Sequence, residues 1–575
     1  MKYARVIPVL RTPIGVDVFD YHIPATLNIQ VGQMVWVPFR RRATPALVVE
    51  ILTDSPFANK ALPISGSYSS LIFPLSIIEL LRWTARHTFS SQPTVLRSWV
   101  RNLPKRPFIA RSIPPVIEYK NDSLPIHEQW INHPQETIIK QAQQNSTRHE
   151  RLLILTPWKN RAEFYSKQIP HSHVLHSDLN DGDAFRAWSH FLTEPTASVL
   201  IATRVGAWLS PLADRVMLDE PENDDHKQDE SAPRYDARKI FIWCHQHTNV
   251  AMESYGLTPP LTSQAAAPMI DLPLHVHIRH PQGRSAIPMI QSDTLHELRT
   301  HDGPRVIIHP IRGVSARLTC RDCGWQALCA RCQFPLSAEE DHALCRVCDL
   351  KAPLPLKCKT CGGADLGKSL PGIEKLKSQW LKHEPDTPVE WRDLSQEAMD
   401  PPFPPRALVV VTDGALIAGG EDVRRRERQC IAFRRLADRV AHIQGRLIIQ
   451  CQESSADQWP CWLTKDGMDQ WRAREWHERQ LFNYPPAVRL VKIILEGHES
   501  SRAESWIEKA RQTIKIELKD VRGPFAVKFR SATRAPRRIY HLIFAPEVSD
   551  QPLIDELTPL AKSTFIDLDP IAFFR

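Results

Sequence analysis

Eight of the twelve cysteines fall between Cys320 and Cys361, arranged as four C-x-x-C knuckles. In a chain of 575 residues whose start, MKYARVIPVLRTPIG, lacks the apolar core of a secretion signal, such clustering points to metal rather than disulfides. Eight thiolates suffice for two tetrahedral four-thiolate zinc sites with no open position. The five residues between Cys323 and Cys329 leave little chain for folding the first knuckle onto the second. The twelve between Cys332 and Cys345 comfortably close a ribbon. The spacing therefore predicts a nested pair: Cys329, Cys332, Cys345 and Cys348 around an inner zinc, and Cys320, Cys323, Cys358 and Cys361 around an outer one. Such sites supply folding energy and usually no catalysis.

The last knuckle overlaps a second motif. In CKTCGGADLGKS, Gly362, Gly367, Lys368 and Ser369 fit the phosphate-binding pattern G-x-x-x-x-G-K-[ST]. A working phosphate loop follows a buried apolar strand and opens into a helix. Here PLKCKTC precedes the match, and Leu370-Pro371-Gly372 interrupts any helix that would start at Lys368. The stretch reads as the tail of a knuckle.

The first hundred residues carry short strand candidates (MKYARVIPVL, DVFDYHIP, QMVWVPF, PALVVEIL) and then LSIIELLRWTARH, with Ile77, Leu80, Leu81 and Thr84 on one helical face. Residues 105–125 are rich in proline and charge and read as a linker. Continuous apolar runs follow at RLLILT, VLIAT and RVMLDE, then at RVIIHP, ALVVVT and RLIIQC, with helical segments between them, which is the pattern of parallel sheets. The cysteines interrupt the second set. RLVKIILEG, IYHLIFA and STFIDLDP mark a final α+β unit. No run is apolar enough to cross a membrane, and a cytoplasmic protein is expected. The net charge of +8 permits nucleic-acid binding without requiring it.

Two α/β sets interrupted by a double zinc module resemble the PriA family of replication-restart proteins. VFDYHIP, VGQMVWVPF and ALVVEI look like its N-terminal 3′-end-binding module. LHSDLN, ATRVGAWL, VMLDEPE and KQDESAPRYDAR look like its first helicase lobe, and LTCRDCGWQALCARCQFPL and LPGIEKLK like its zinc insertion and the segment after it. ERQLFNYPPAVRL and FIDLDPIAFF are similar to its C-terminal domain. The resemblance implies a 3′-DNA-end-binding domain at 1–104, a degenerate helicase lobe at 126–265, a second at 266–317 and 363–455, a two-zinc module at 318–362 and a C-terminal domain at 456–575. The short linker leaves no room for the winged-helix domain that many members carry.

Against the family, three parts of the ATPase are missing. No glycine-rich loop precedes RLLILT, the acidic box reads Asp219-Glu220-Pro221-Glu222, and the arginine-rich box before RLIIQC is shortened to RVAHIQG. Without the loop, nothing cradles ATP phosphates. No catalytic residue is expected; Asp219 and Glu220 are a Walker B remnant, and Asp219 retains the capacity to help hold Mg²⁺. The resemblance places Phe19, Asp20 and Tyr21 at the site that receives a DNA 3′ end, with Arg40 where members often have glycine. It places Trp83, His87 and Arg537 at a pocket for the acidic tail of single-stranded DNA-binding protein. Arg424 to Arg426 read as a solvated helix face. The implied protein is a monomeric fork-binding platform for single-stranded DNA-binding protein and for the primosome partners that reload the replicative helicase. Its rivals are an ATP-dependent 3′-to-5′ helicase with diverged motifs, and a zinc-ribbon interaction protein with no role at DNA.

Overall fold

The computed structural model describes residues 2–100, 125–145, 150–193, 198–279, 287, 289–309, 318–320, 322–323, 325, 327–330, 336–338, 342–345, 350–367, 373–393, 402–417, 423–496, 500–527 and 537–573. The expected linker lies almost wholly outside these residues. Near the N-terminus β1 (Tyr3–Pro8), β2 (Phe19–His22), β3 (Gln33–Phe39), β4 (Arg42–Leu52) and β5 (Gly66–Ile72) pair antiparallel in the order β2-β1-β4-β3-β5. Alternation sends Val35, Val37, Ala46 and Val48 to one buried face. Met34, Leu47 and Val49 go to the other, where they meet α1 (Leu75–His87) and α2 (Gln92–Trp99). The α1 stripe Ile77, Leu80, Leu81 and Thr84 is buried, as its spacing predicts.

The apolar runs become central strands of two parallel sheets. The first contains β6 (His127–Trp130), β7 (Arg151–Leu155), β8 (Ser172–Leu175), β9 (Ser198–Ala202), β10 (Arg215–Asp219) and β11 (Ala251–Gly256), ordered β6-β11-β10-β7-β9-β8. On one face lie α3 (Pro134–Gln143) and the helix Lys159–Gln168; on the other lie the helices Asp181–Thr193 and Ala237–His247. The second sheet comprises β12 (Leu274–Ile278), β13 (Arg305–His309) and, after the cysteine module, three more strands. That module contributes β14 (Thr319–Cys320), β15 (Leu336–Ala338), β16 (His342–Cys345), β17 (Lys351–Pro353) and β18 (Leu366–Gly367). With β19 (Glu390–Asp393), β20 (Leu408–Val411) and β21 (Arg446–Cys451), the second sheet runs β12-β21-β20-β13-β19.

The chain ends in an antiparallel sheet of β22 (Arg489–Glu496), β23 (Asp520–Val527), β24 (Arg537–Phe544) and β25 (Phe565–Leu568), backed by the helices Ser500–Thr513 and Asp550–Leu557. This unit docks onto the first parallel sheet through a buried lysine. Lys227 Nζ donates to Asp567 Oδ1 at 2.7 Å and to the carbonyls of Leu568 and Asp569 at 2.9 and 2.8 Å. Among the described residues, no helix is long and apolar enough to cross a membrane.

Candidate functional site

The junction of the two parallel sheets holds a dense charged cluster. Asp219 ends β10, and Glu220 follows it with φ of 49°, in the left-handed region that a non-glycine residue occupies at a cost. Both carboxylates are buried and face Arg161 of the helix Lys159–Gln168. Arg161 Nη1 lies 3.3 Å from Asp219 Oδ2, and its Nη2 lies 3.1 Å from Glu220 Oε1. Thr156 Oγ1 donates to Asp219 at 3.1 Å, and Asn223 Nδ2 donates to Glu220 at 3.1 Å. Arg435, from the helix Arg425–His442 beside the second sheet, reaches Glu220 Oε2 at 3.3 Å. Its guanidinium and that of Arg161 both lie over the Trp158 indole, 4.9 and 5.2 Å from the ring centre. Burial, reinforced by Glu220, pushes the Asp219 carboxyl up. Burial would raise Glu220 too, but Arg161 and Arg435 together hold it low. The guanidinium and the hydroxyl both engage Asp219 Oδ2, while Oδ1, the oxygen left for the expected Mg²⁺ contact, is buried with no hydrogen-bond partner among the described residues.

Upstream of Arg161, β6 leads through three residues into α3, a strand–loop–helix arrangement of the kind a phosphate loop takes. The polar HEQW gave no strand signal in the sequence. The helix begins after His133, whose φ is 51°. At this N-terminus sits the carboxylate of Asp438, also from the 425–442 helix. The His133 backbone N–H donates to it at 3.1 Å, and His133 Nδ1 lies 3.2 Å away. An anion belongs at a helix start, and the protein supplies its own. The neighbouring space is a cavity of about 140 Å³ lined by His133, Arg161, Phe403 and Arg439 among others.

The 425–442 helix is thus the seam between the sheets. Asp224, in the turn after β10, receives Arg424 and Arg428 at 2.8 Å each, and His442 lies 3.2 Å from Glu136. Reading Arg424 to Arg426 as a solvated face is therefore wrong for Arg424. It pairs with Asp224 and Glu427, and only Arg426 is largely exposed, beside Glu478. Arg161 and Arg435 escaped the sequence reading, since nothing local marks them.

In the cysteine module, the sulfurs of Cys320, Cys323, Cys358 and Cys361 lie within 4.8 Å of one another. The Cys320–Cys361 and Cys323–Cys358 separations are each 3.6 Å. A tetrahedral zinc with Zn–S near 2.3 Å sets sulfurs about 3.8 Å apart, so the donor set fits. Backbone N–H groups of Thr360 and Gly363 point at Cys358 and Cys361. Gly367 belongs to β18, paired with β14, so the glycines of the phosphate-loop match lie in the knuckle; Lys368 and Ser369 lie outside the described residues. Cys329 is buried. Cys332 and Cys348 lie outside the described residues, as does the Cys345 side chain.

In the N-terminal sheet, Phe19 packs edge-on to Phe39, and the Arg40 guanidinium lies 5.8 Å from the Phe39 ring centre. Arg40 and Arg41 form the two-residue turn of the β3–β4 hairpin, both at positive φ, 45° and 62°. Asp20 is turned inward: its carboxylate takes Arg5 Nε at 3.0 Å and Ser55 Oγ at 2.7 Å. Tyr21 is buried and donates to the Pro38 carbonyl. On α1, Trp83 and His87 stack with ring centres 4.0 Å apart, and His87 Nε2 reaches Asp550 Oδ2 at 3.4 Å. Arg537 opens β24; its side chain lies outside the described residues.

A family model for the PriA 3′DNA-binding domain (3′BD) matches residues 9–101. Replication restart protein PriA of Haemophilus influenzae is 25% identical over 226 residues, 35% of this chain and 30% of that protein. The Borreliella burgdorferi protein of the same name is 21% identical over 376 residues, 57% of this chain and 56% of the relative. The Chlamydia pneumoniae protein is 22% identical over 478 residues, covering 70% and 62%. Across these three the match spans about a third to three-fifths of the relative's length.

Proposed function

We propose that this chain, which is similar to the PriA family of replication restart proteins, binds branched replication forks and recruits the partners that reload the replicative helicase, without ATP-driven unwinding of its own. The observation that carries the second half is Asp438 at the start of α3. Where nucleotide phosphates would meet backbone N–H groups, a protein carboxylate already accepts from His133, and like charge repels a phosphate. The Walker B remnant is neutralised in the same way by Arg161 and Arg435.

The N-terminal sheet takes the DNA 3′ end. Phe19 and Phe39 offer rings for a terminal base, and Arg40 and Arg41 present guanidiniums to the strand's phosphates. Asp20, held by Arg5, acts by fixing the strand that carries Phe19 rather than by contacting DNA directly. Trp83 and His87 border the surface offered to the acidic tail of single-stranded DNA-binding protein, with Arg537 as its carboxylate partner. Zinc in the cluster of Cys320, Cys323, Cys358 and Cys361, and a second zinc in the inner set, would brace a docking surface without performing chemistry.

The experiment is ATP hydrolysis by the zinc-loaded protein with and without forked DNA, with fork binding followed on the same samples. Tight, salt-sensitive fork binding with no stimulated turnover is the expected result. DNA-stimulated turnover would overturn the inactive reading, and absence of fork binding would overturn the DNA reading.

A further inference from the structure

The edge strand of the second sheet, β12, reads LHVHI, and alternation splits it by chemistry. Leu274 and Val276 pack against the core on one face of the sheet. His275 and His277 go to the other. There the helix Ser292–Thr300 buries Leu295 and Leu298 against Ile307, Leu408 and Val410. On that helix Thr294 and Glu297, three residues apart and so on one side, meet the two histidines. His275 Nδ1 lies 3.2 Å from Glu297 Oε1, and His277 Nδ1 lies 2.8 Å from Thr294 Oγ1.

Two imidazoles and a carboxylate are thus gathered in one place. A ligand atom from each of His275, His277 and Glu297 falls within 4.8 Å of the others. Two ligands bound at about 2.0–2.1 Å to a tetrahedral ion stand roughly 3.3 Å apart. His275 and Glu297 already have nearly that separation. Bringing the third ligand in takes a shift of about 1.5 Å or less, within reach of side-chain rotation. The Thr294 hydroxyl orients the His277 ring, as hydrogen-bond partners of metal-bound imidazoles do. The His275 side chain is 40% exposed and that of Glu297 26%, which leaves a bound ion a position for water.

One cationic group is already at this place. Arg446, the first residue of β21, sets Nη2 2.9 Å from Glu297 Oε2 and 3.4 Å from His275 Nδ1. It offsets the carboxylate's charge and competes with a metal ion for it. We infer that His275, His277 and Glu297 form a zinc site outside the cysteine module, completed by water and opposed by Arg446. Two nitrogens and an oxygen suit Zn²⁺ or another borderline ion such as Co²⁺, whereas Mg²⁺ and Ca²⁺ take oxygen ligands. The nearby guanidinium makes the site weaker than a four-thiolate one, so its ion is exchangeable. The site does not depend on the fork-binding reading.

The test is calorimetric titration with Zn²⁺ of the full-length, zinc-loaded protein, first freed of loosely held metal. One further ion per chain should bind. His275→Ala and His277→Ala should each weaken it at least about tenfold, the smallest loss expected when even a supporting partner of a metal ligand is removed. Arg446→Gln removes the competing charge and should tighten it several-fold. That variant keeps all three ligands, so it tests the site even where a histidine variant fails to fold. Co²⁺ should bind without the thiolate-to-metal absorption of a cysteine site, and a large excess of Mg²⁺ should not compete. No further ion, unchanged affinity in either histidine variant, or equal or weaker binding in Arg446→Gln would overturn the inference. The contacts of His275, Glu297 and Arg446 would then be a brace between β12 and its helix. Competition by Mg²⁺ would overturn the assignment to zinc.

Discussion

Asp438 caps the start of α3 from 305 residues away: the His133 backbone N–H donates to its carboxylate at 3.1 Å, and the imidazole closes the same contact at 3.2 Å. The contact joins the two parallel-sheet units at the start of α3. It also makes the junction a stability element. Asp438 is almost fully buried, and removing one partner of a buried pair strands the other. Asp438→Ala should lower stability by about 1–3 kcal/mol, read by urea unfolding. It should not produce ATPase activity, because the glycines and lysine of a phosphate loop remain missing. Appearance of turnover would show that Asp438 alone blocks the site.

Arg435 tests the other half of the seam. Arg435→Ala leaves Glu220 paired with Arg161 alone and strips one guanidinium from the Trp158 stack. A destabilisation of about 2–4 kcal/mol is expected. Arg435→Lys should recover less than half of it, since an ammonium cannot both pair with Glu220 and lie flat on the indole. Full recovery with lysine would reduce the role of Arg435 to charge.

The hairpin turn Arg40-Arg41 sets stability against affinity. Two non-glycine residues in the left-handed region cost roughly 1–2 kcal/mol each. Replacing them together, Arg40→Asn with Arg41→Gly, provides the sequence this turn prefers and should raise the unfolding free energy by about 1 kcal/mol or more. Fork affinity should fall, with a shallower salt dependence by one to two charges. A variant that is both more stable and equally tight would remove the two arginines from the DNA surface.

His541 offers a pH signature in the C-terminal sheet. Burial presses its imidazole down to about 4 while Nε2 contacts the Phe573 carbonyl at 2.9 Å. The unfolded chain takes up this proton near pH 6.5 and the folded chain only near 4, so the unfolded state binds more protons between those values. The neutral ring's contribution is complete above about pH 6.5 and is lost as pH falls towards 4, by roughly 3 kcal/mol at most. In His541→Gln the stability-versus-pH curve should lose up to one proton of slope in that window. Parallel curves for the two proteins would contradict it.

Metal content distinguishes the two cysteine sets. With both filled, the protein should carry two zinc ions per chain, and Cys320→Ser should carry one, measured by chelator-released zinc. The thiols of Cys320, Cys323, Cys358 and Cys361 form one cluster, so losing one ligand empties only that site. Loss of both ions would show that the two sites fold as one.

What the sequence disclosed follows from the range of the signal. RLLIL, VLIA and RVMLD were readable as buried parallel strands because both faces of each are apolar, and Cys320 and Cys361 were paired by knuckle spacing alone. The edge strand β6 was missed because HEQW is polar and only part-buried, carrying neither period nor apolarity. The seam was unreadable for another reason. Arg424 looks like any surface arginine until Asp224, 200 residues earlier in the chain, is brought to it. Inward-turned Asp20 belongs to the same class, its direction being set by Arg5 and Ser55 on other segments.

The lysine that docks the last sheet bears on how the protein is made. Lys227 waits for acceptors at Asp567, Leu568 and Asp569, some 340 residues downstream. At roughly 5–20 residues per second, a ribosome needs about 17–70 s to deliver them. During that interval the Lys227 ammonium is without these acceptors. A product truncated before Asp567 would leave the ribosome with Lys227 lacking those three acceptors.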